Sequence, residues 1–428
     1  MDIVVVNSGS SSLKMSYFSG TVGALSQNPT WQIEKDVDWD SSDESAIEKT
    51  MSDAIDDMLK TDPSKMHIKS REGKFTVGHR IVHGGPKYSQ SIRVTDEVLK
   101  DLEQLNDFAP LHNPINLRAL KLARKLMPNA THVAAFDTAF HSTIAAEAAI
   151  YPGPYEWYEN QQIKRYGFHG LSHKYSASFA MNEFTKISSR AEGASVSSSI
   201  SRAEAGSSNN SSEEAASSSS SREKAASKIA ISCHLGGGCS LAALQNGKSL
   251  DTTMGFTPLE GLMMRSRSGS IDPGLIIYFL KNKTYSVEEL DKVLNKESGL
   301  KGIFEKSGDM REIEKAMNAG DARAKLAFDM FVNSIVSNIG ALATKYGGLN
   351  MLIFTGGIGA HSRAVRTAVC NRLSILGVRL DDKLDAEQIS DDGGANCGST
   401  DSKGVAIFHF VAKEDYQIAL DCVELSAE

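Results

Sequence analysis

The chain has 428 residues, 41% hydrophobic and 23% charged, with a net charge of −7 and a pI near 5.9. That length is too great for one ordinary core, so two domains or more are expected. The acidic balance argues against nucleic acid or an anionic membrane as partner, since both reward a basic face. The five cysteines (Cys233, Cys239, Cys370, Cys397, Cys422) are scattered and odd in number. They make neither a CxxC metal site nor a disulfide framework, which points to a reducing cytosol. With no signal-peptide pattern at the start and no apolar run of membrane-spanning length expected, the reading is a soluble, cytoplasmic protein.

Residues 3–6 (IVVV) read as a buried strand that runs straight into Asn7-Ser8-Gly9-Ser10-Ser11-Ser12, with Lys14 closing the stretch. A tight hairpin needs only two turn residues. The longer small-residue run reads as an anion cradle, in which backbone N–H groups, the hydroxyls of Ser10 and Ser12 and the Lys14 ammonium face one ligand. It is not a P-loop, because GxxxxGK[ST] is missing.

The next strand, 76–82, carries GHRIVHGG at 78–85. Arg80 and Val82 share one face of a strand, so a cation would stand beside an apolar side chain, as a short carboxylate requires. A helix over 96–106, the loop APLHNP (109–114) and a helix over 115–126 follow, then a strand over 131–136 ending at Asp137. Functional carboxylates occur at such strand ends in α/β folds, although an N-cap is the alternative there. FDTAFH (136–141) and RYGFHGLSH (165–173) gather His141, His169 and His173 near His112. Their spacing is not that of a metalloprotease, so hydrogen-bonding roles around an anion are preferred.

A helix over 173–184 leads into the Ser-, Ala- and Glu-rich segment 187–227. It has too little apolar surface to offset its ordering entropy and reads as a surface loop or partly helical excursion. Strands over 229–234 and 241–245 flank His234-Leu235-Gly236-Gly237-Gly238, a second small-residue turn. DTTMGFTPLEGLMMRSRSGSIDP (251–273) puts Arg265 and Arg267 in a small-residue loop behind an apolar wall of Phe256 and Pro258. Helices over 287–294 and 322–346 and a strand over 351–355 complete the series, the last ending at Gly356-Gly357-Ile358-Gly359.

Short strands alternating with amphipathic helices read as α/β. IVVVNSGSSSLKMSYF and IAISCHLGGGCSLAAL, roughly 220 residues apart, share one plan of strand, small-residue turn and strand. Such repetition predicts two related domains facing a cleft. Phosphate-holding turns, positioned arginines, a carboxylate for a divalent cation and no covalent nucleophile together predict phosphoryl transfer.

On NSGSSSLK, GHRIVHGG, APLHNP, FDTAFH, RYGFHGLSH, MGFTPLEGL with RSGSIDP, and FTGGIG, the chain resembles the acetate kinases. The motifs cover nearly the whole length apart from 187–227. The resemblance implies the duplicated α/β fold of actin, Hsp70 and sugar kinases, with an acetate-side domain over 1–145 plus 415–428 and a nucleotide-binding domain over 146–414. It implies reversible phosphoryl transfer between ATP and acetate, giving acetyl phosphate and ADP, with Mg²⁺ (or Mn²⁺) and a homodimer joined through the nucleotide-side domain. Carried over by position, Asn7, Ser10, Ser12 and Lys14 would contact phosphate, as would His234, Gly236, Gly237 and Gly238. Arg80 and Arg267 would bind the acetate carboxylate and neutralise the transferring group. His169 would hydrogen-bond that group, with His112 nearby. Asp137 and Glu414, with Asn7, would serve the metal. Val82, Leu111, Phe168 and Pro258 would wall the methyl pocket, while Asp309, Arg311, Gly357 and Ile358 would hold the nucleotide. The family usually has Asn at Gly237, a small residue at Arg265 and Glu-Asn at Ala360-His361. All three departures lie on the donor side.

Overall fold

The computed structural model describes residues 1–9, 12–20, 23–39, 41, 43–61, 75–110, 112–203, 228–381, 395–396 and 404–426; for 61, 107, 187–203 and 395–396 it describes the backbone alone. Ser10 and Leu111 lie outside the described residues, as does 204–227.

The run Ile3–Val6 is apolar on both faces because both faces are covered. Ile3 and Val5 pack on Ile418, Ala419 and Cys422 of the last helix, Glu414–Ser426. Val4 and Val6 face Met51, Met58 and Ala123, from the helices Glu44–Thr61 and Asn113–Leu126. Gly78 lets the last helix close on the sheet, since a Cβ there would lie 2.5 Å from Ile418 Cγ2.

The first sheet holds β1 (Asp2–Ser8), β2 (Ser12–Ser19), β3 (Trp31–Asp36), β4 (Thr76–Ile81), β5 (Ile92–Arg93) and β6 (Thr131–Phe136), in the order β3-β2-β1-β4-β6-β5. The second holds β7 (Ala230–Leu235), β8 (Cys239–Gln245), β9 (Lys248–Thr252), β10 (Met351–Thr355), β11 (Ala395–Asn396) and β12 (Ala406–His409), in the order β11-β12-β10-β7-β8-β9. Strand for strand the two orders coincide. In both, the first two neighbours of the opening strand form an antiparallel meander, the next two strands run parallel, and the far edge is antiparallel. The repeated strand–turn–strand plan is therefore a duplicated sheet.

The helix Gly170–Ala203 touches β6 in the first sheet and β7, β8 and β10 in the second, so it joins the two halves. It begins three residues before the expected start and its backbone continues into the Ser-rich segment as far as Ala203. The helix expected over 96–106 stops at Glu103 after its Thr95 cap. The one expected over 287–294 ends at Lys292 and continues as a π-turn over Val293–Glu297. Ala322–Lys345 is long and apolar enough to cross a membrane by length and composition, contrary to the expectation. Its Ala327, Phe331, Ile335, Ile339 and Leu342 recur at helical spacing and are buried on the second sheet, which makes it a core helix.

Candidate active site

Arg80 stands near the end of β4 and Asp137 directly after β6, its neighbour in the sheet, so parallel pairing alone brings them together. The guanidinium forks onto the carboxylate, with Nε 3.1 Å from Oδ1 and Nη2 2.7 Å from Oδ2. Nη1 lies 3.4 Å from Asn7 Oδ1 and 3.6 Å from Glu414 Oε2. Burial works against the charge on Arg80, but Asp137, Glu414 and Asp415 outweigh it and raise its pKa. Burial pushes the Asp137 carboxyl up, opposed by the fork; the bidentate geometry keeps the pair ionised.

Asp415 was not legible in the sequence. Its carboxylate takes Lys14 Nζ at 2.9 Å, Ser16 Oγ at 2.7 Å and Asn7 Nδ2 at 3.2 Å. Lys14 and Asn7 are cross-strand partners of the first hairpin, so one buried acid from the C-terminal helix aligns both. Ser12 serves that turn through its carbonyl, which accepts from Gly9 N at 2.9 Å.

The loop after β4 is clamped by the start of Asn113–Leu126. Asn116 Oδ1 accepts from Val82 N at 3.1 Å and Asn113 Oδ1 from His83 N at 3.0 Å. Val82 and Phe168 are buried in one apolar cluster. Arg165 ties the Phe168–His169 loop to the loop carrying Pro258: Nη1 donates to the carbonyls of Thr252, Thr253 and Met254, and Nη2 lies 2.7 Å from Glu260. Pro258 in turn accepts from Arg267 Nη1 at 3.1 Å. Among the described residues Arg267 has no carboxylate partner, and burial pulls its pKa below the ordinary arginine value. A half-buried cation with only a carbonyl against it is a site prepared for an anion. His112 lies within the fields of both arginines, and burial, then Arg267 and Arg80, lower its pKa to about 4.

His169 has φ +57°, in the left-handed region. Its ring stacks on His234 with centroids 4.2 Å apart. A Cβ on Gly238 would sit 3.0 Å from His169 Nε2 and 3.6 Å from Arg267 Nη1. A Cβ on Gly236 would sit 3.6 Å from His234 Nε2 and 3.8 Å from Gly357 N. The second glycine turn thus lies against both imidazoles and reaches the late one. Gly356 needs its φ of +75°, with a Cβ only 2.6 Å from the Leu235 carbonyl.

Beyond the turn a groove of about 480 Å³ is lined by Gly237, Arg265, Asp309, Arg311, Ile358 and His361, among others. Asp309 caps the helix Met310–Asn318 and forks with Arg311, Nη2 to Oδ2 at 2.6 Å. The Arg311 hydrogen bond, chiefly, lowers the carboxyl to about 2. At Gly237 a side chain would meet nothing within 4 Å, so the family's usual Asn would project freely here. Ala360 is buried, and its carbonyl accepts from Arg366 Nη1 at 2.7 Å. The expected residues therefore form one continuous path, from Asp137 and Arg80 through His169, His234 and the glycine turn to Asp309, with Ser10 and Leu111 outside the described part.

Asn7, Asp137 and Glu414 each turn an oxygen toward the Arg80 guanidinium, so oxygen donors of the kind a hard divalent cation takes are grouped around that arginine. Among the described residues no group of three His, Cys, Asp or Glu could hold a metal alone. Mg²⁺ needs none, because it takes one or two carboxylates together with substrate phosphates.

The buried histidines set an acid limit on stability. Burial first of all lowers His141 and His132 to about 4, from an ordinary 6.5. Between those values the unfolded chain binds more protons than the folded one. Stability is full above pH 6.5 and falls as pH drops toward 4, by up to about 1.4 kcal/mol per pH unit for each such histidine. Urea midpoints at pH 7.5, 6 and 4.5 will decrease in that order; equal midpoints would contradict these shifts.

A doubled sheet with glycine turns and arginines converging on one cleft defines the class of two-lobed kinases built on the duplicated actin-like fold. The chain belongs to the acetokinase family, whose family model matches residues 2–194 and 205–420. It is 40% identical to the acetate kinase of Nostoc punctiforme over 446 aligned positions, covering 99% of each chain. It is 39% identical to that of Gloeobacter violaceus, covering 99% of this chain and 98% of the relative. Among solved structures, Porphyromonas gingivalis acetate kinase superposes with a TM-score of 0.77 at 30% identity, covering 99% of both chains. A propionate kinase from Francisella tularensis gives 0.76 at 29%, covering 98% of both.

Proposed function

We infer that the chain is an acetate kinase that transfers the terminal phosphoryl group of ATP to acetate, giving acetyl phosphate and ADP, and runs the reaction in reverse. The observation that carries the reading is two arginines acting on the same pair of imidazoles, His112 and His169: Arg80 forked on Asp137, and Arg267 without a carboxylate partner among the described residues, with Val82 two positions from Arg80 and Phe168 next to His169 in the chain, both buried.

An acetate oxygen attacks the γ-phosphorus as the bond to the β,γ-bridging oxygen breaks, and the electron pair leaves on ADP. The attacking carboxylate is already ionised, so no general base is required. Arg80 and Arg267 hold the acetate oxygens and neutralise the charge spread over the equatorial phosphoryl oxygens. His169 is kept neutral, first by burial and then by its cationic and imidazole neighbours, and so acts as a hydrogen-bond donor. Val82, Phe168, Pro258 and Leu111 enclose the methyl group. Asn7, Ser10, Ser12, Lys14 and the turn 236–238 line the phosphate path. Asp309, Arg311, Gly357 and Ile358 hold the nucleotide. Asn7, Asp137 and Glu414 would hold Mg²⁺ or Mn²⁺, which supplies charge to the donor phosphates.

The acetate-side domain comprises 1–145 with 415–428, the nucleotide-binding domain 146–414, and closure between them excludes water. Burial of the described cysteines as free thiols supports a cytoplasmic location. Val82→Ala will enlarge the acyl pocket and shift the propionate-to-acetate ratio of kcat/KM upward by about tenfold or more, measured over a carboxylate series. An unchanged ratio would remove Val82 from the pocket.

A homodimer through the nucleotide-side domain is supported by the helix Pro273–Lys281, which exposes Leu275, Ile277 and Tyr278. Ile271 and Met330 line a groove alongside. Ile277→Asp with Tyr278→Lys will halve the sedimenting mass. An unaltered dimer would place the interface elsewhere.

A further inference from the structure

His234 and Ser240 are cross-strand partners on β7 and β8, and Ser232 lies two residues before His234 on the same face. The alternation that sends Ile231, Cys233 and Leu235 into the core of the second domain turns these three toward the start of Gly170–Ala203. There Ser240 Oγ lies 2.9 Å from His169 Nδ1 and 2.8 Å from His173 Nε2, while His173 Nδ1 lies 3.0 Å from Ser232 Oγ. Ser232, His173 and Ser240 are fully buried. His234 repeats the pattern, its Nδ1 2.8 Å from Ser172 Oγ. Both stacked imidazoles therefore have Nδ1 on a serine and Nε2 toward the glycine turn.

A neutral imidazole has one N–H and one lone pair, and its second partner decides which nitrogen carries the proton. Taken alone, the chain Ser232–His173–Ser240–His169 is self-consistent in either direction. An anion at the glycine turn breaks the tie, because a lone pair on His169 Nε2 would face its oxygens. We propose that Ser240, backed by His173 and Ser232, is a positioning residue that donates to His169 Nδ1 and so commits the ring proton to Nε2. The run is then Ser232 O–H to His173 Nδ1, His173 Nε2–H to Ser240 Oγ, and Ser240 O–H to His169 Nδ1. No proton is transferred in turnover. The relay fixes which edge of His169 donates, and it rests on the reading of His169 as the phosphoryl-contacting donor.

The test is a double-mutant cycle of Ser240→Ala and His169→Ala in the full chain, read by kcat, by KM for acetate and ATP, and by ring ¹⁵N NMR of His169. The expected result is a loss of kcat of about tenfold in Ser240→Ala, with both KM values within about twofold. No further loss will follow when Ser240→Ala is added to His169→Ala, and His169 will shift toward the Nδ1–H tautomer. An unchanged kcat, or the same loss with and without His169, overturns the relay and leaves the His169 assignment standing. Full activity in His169→Ala overturns that underlying assignment instead.

Discussion

Arg80→Ala will lower kcat for acetyl phosphate formation by about 10³-fold or more, the scale on which an arginine stabilises a transferring phosphoryl group. The same change will cost the fold about 3–5 kcal/mol, because it leaves Asp137 buried with no cation against it. The two losses separate by measurement: kinetics at a temperature where the variant is folded reads the first, and urea unfolding reads the second. Arg80→Lys keeps the charge but loses the fork to both Asp137 oxygens, and will recover more stability than activity. If Arg80→Ala retains wild-type kcat, Arg80 does not touch the reacting group. If its stability is also unchanged, the ion pair with Asp137 is not formed.

Gly170→Ala will act on the same site through the backbone. Gly170 N donates to the Asp137 carbonyl at 2.8 Å, and a Cβ at this position would stand 2.0 Å from that oxygen. Since the obstacle is backbone, the loop must move, and His169 is the residue immediately before Gly170. A displacement near 1 Å in a positioned catalytic group costs about 10²-fold, and overpacking costs a further 1–3 kcal/mol or so of stability. Steady-state kinetics will show the loss mainly in kcat, with the nucleotide KM little changed. A variant with normal kcat would show that His169 tolerates the shift and does not set the rate.

Much of the architecture was legible because it rests on short-range pattern. Ile3–Val6 and Met351–Thr355 are apolar without interruption because both faces are covered, and each ends at small residues that punctuate the chain. The two hairpins declared the duplication since each places a small-residue turn between apolar strands. Arg80 and Asp137 were legible as strand-end residues whose partners lie in the neighbouring strand. Asp415 was not, because its contact with Ser16 spans 399 positions and no local pattern carries it. Ser240 was equally silent, being a small polar residue beside a glycine turn, with a role that depends on His169 and His173 arriving from another element. Pro273–Lys281 is apolar all round and exposed, so it lacks the one-sided periodicity that marks a packed helix. The helix Gly170–Ala203 outran its expected end because backbone propensity in Ala-, Ser- and Glu-rich sequence continues after the apolar stripe stops.

The proposed donor side carries the departures from the family's usual residues, with Arg265 and His361 lining the groove proposed for the nucleotide and Gly237 open beside them. The central measurement is therefore the rate of acetyl phosphate formation from acetate, trapped as the hydroxamate, with ATP, GTP and pyrophosphate as donors. Rapid formation with ATP and none above background with pyrophosphate is the expected result. Transfer from pyrophosphate alone would contradict the nucleotide assignment of Asp309, Arg311 and Gly357, and no transfer from any donor would contradict the kinase itself.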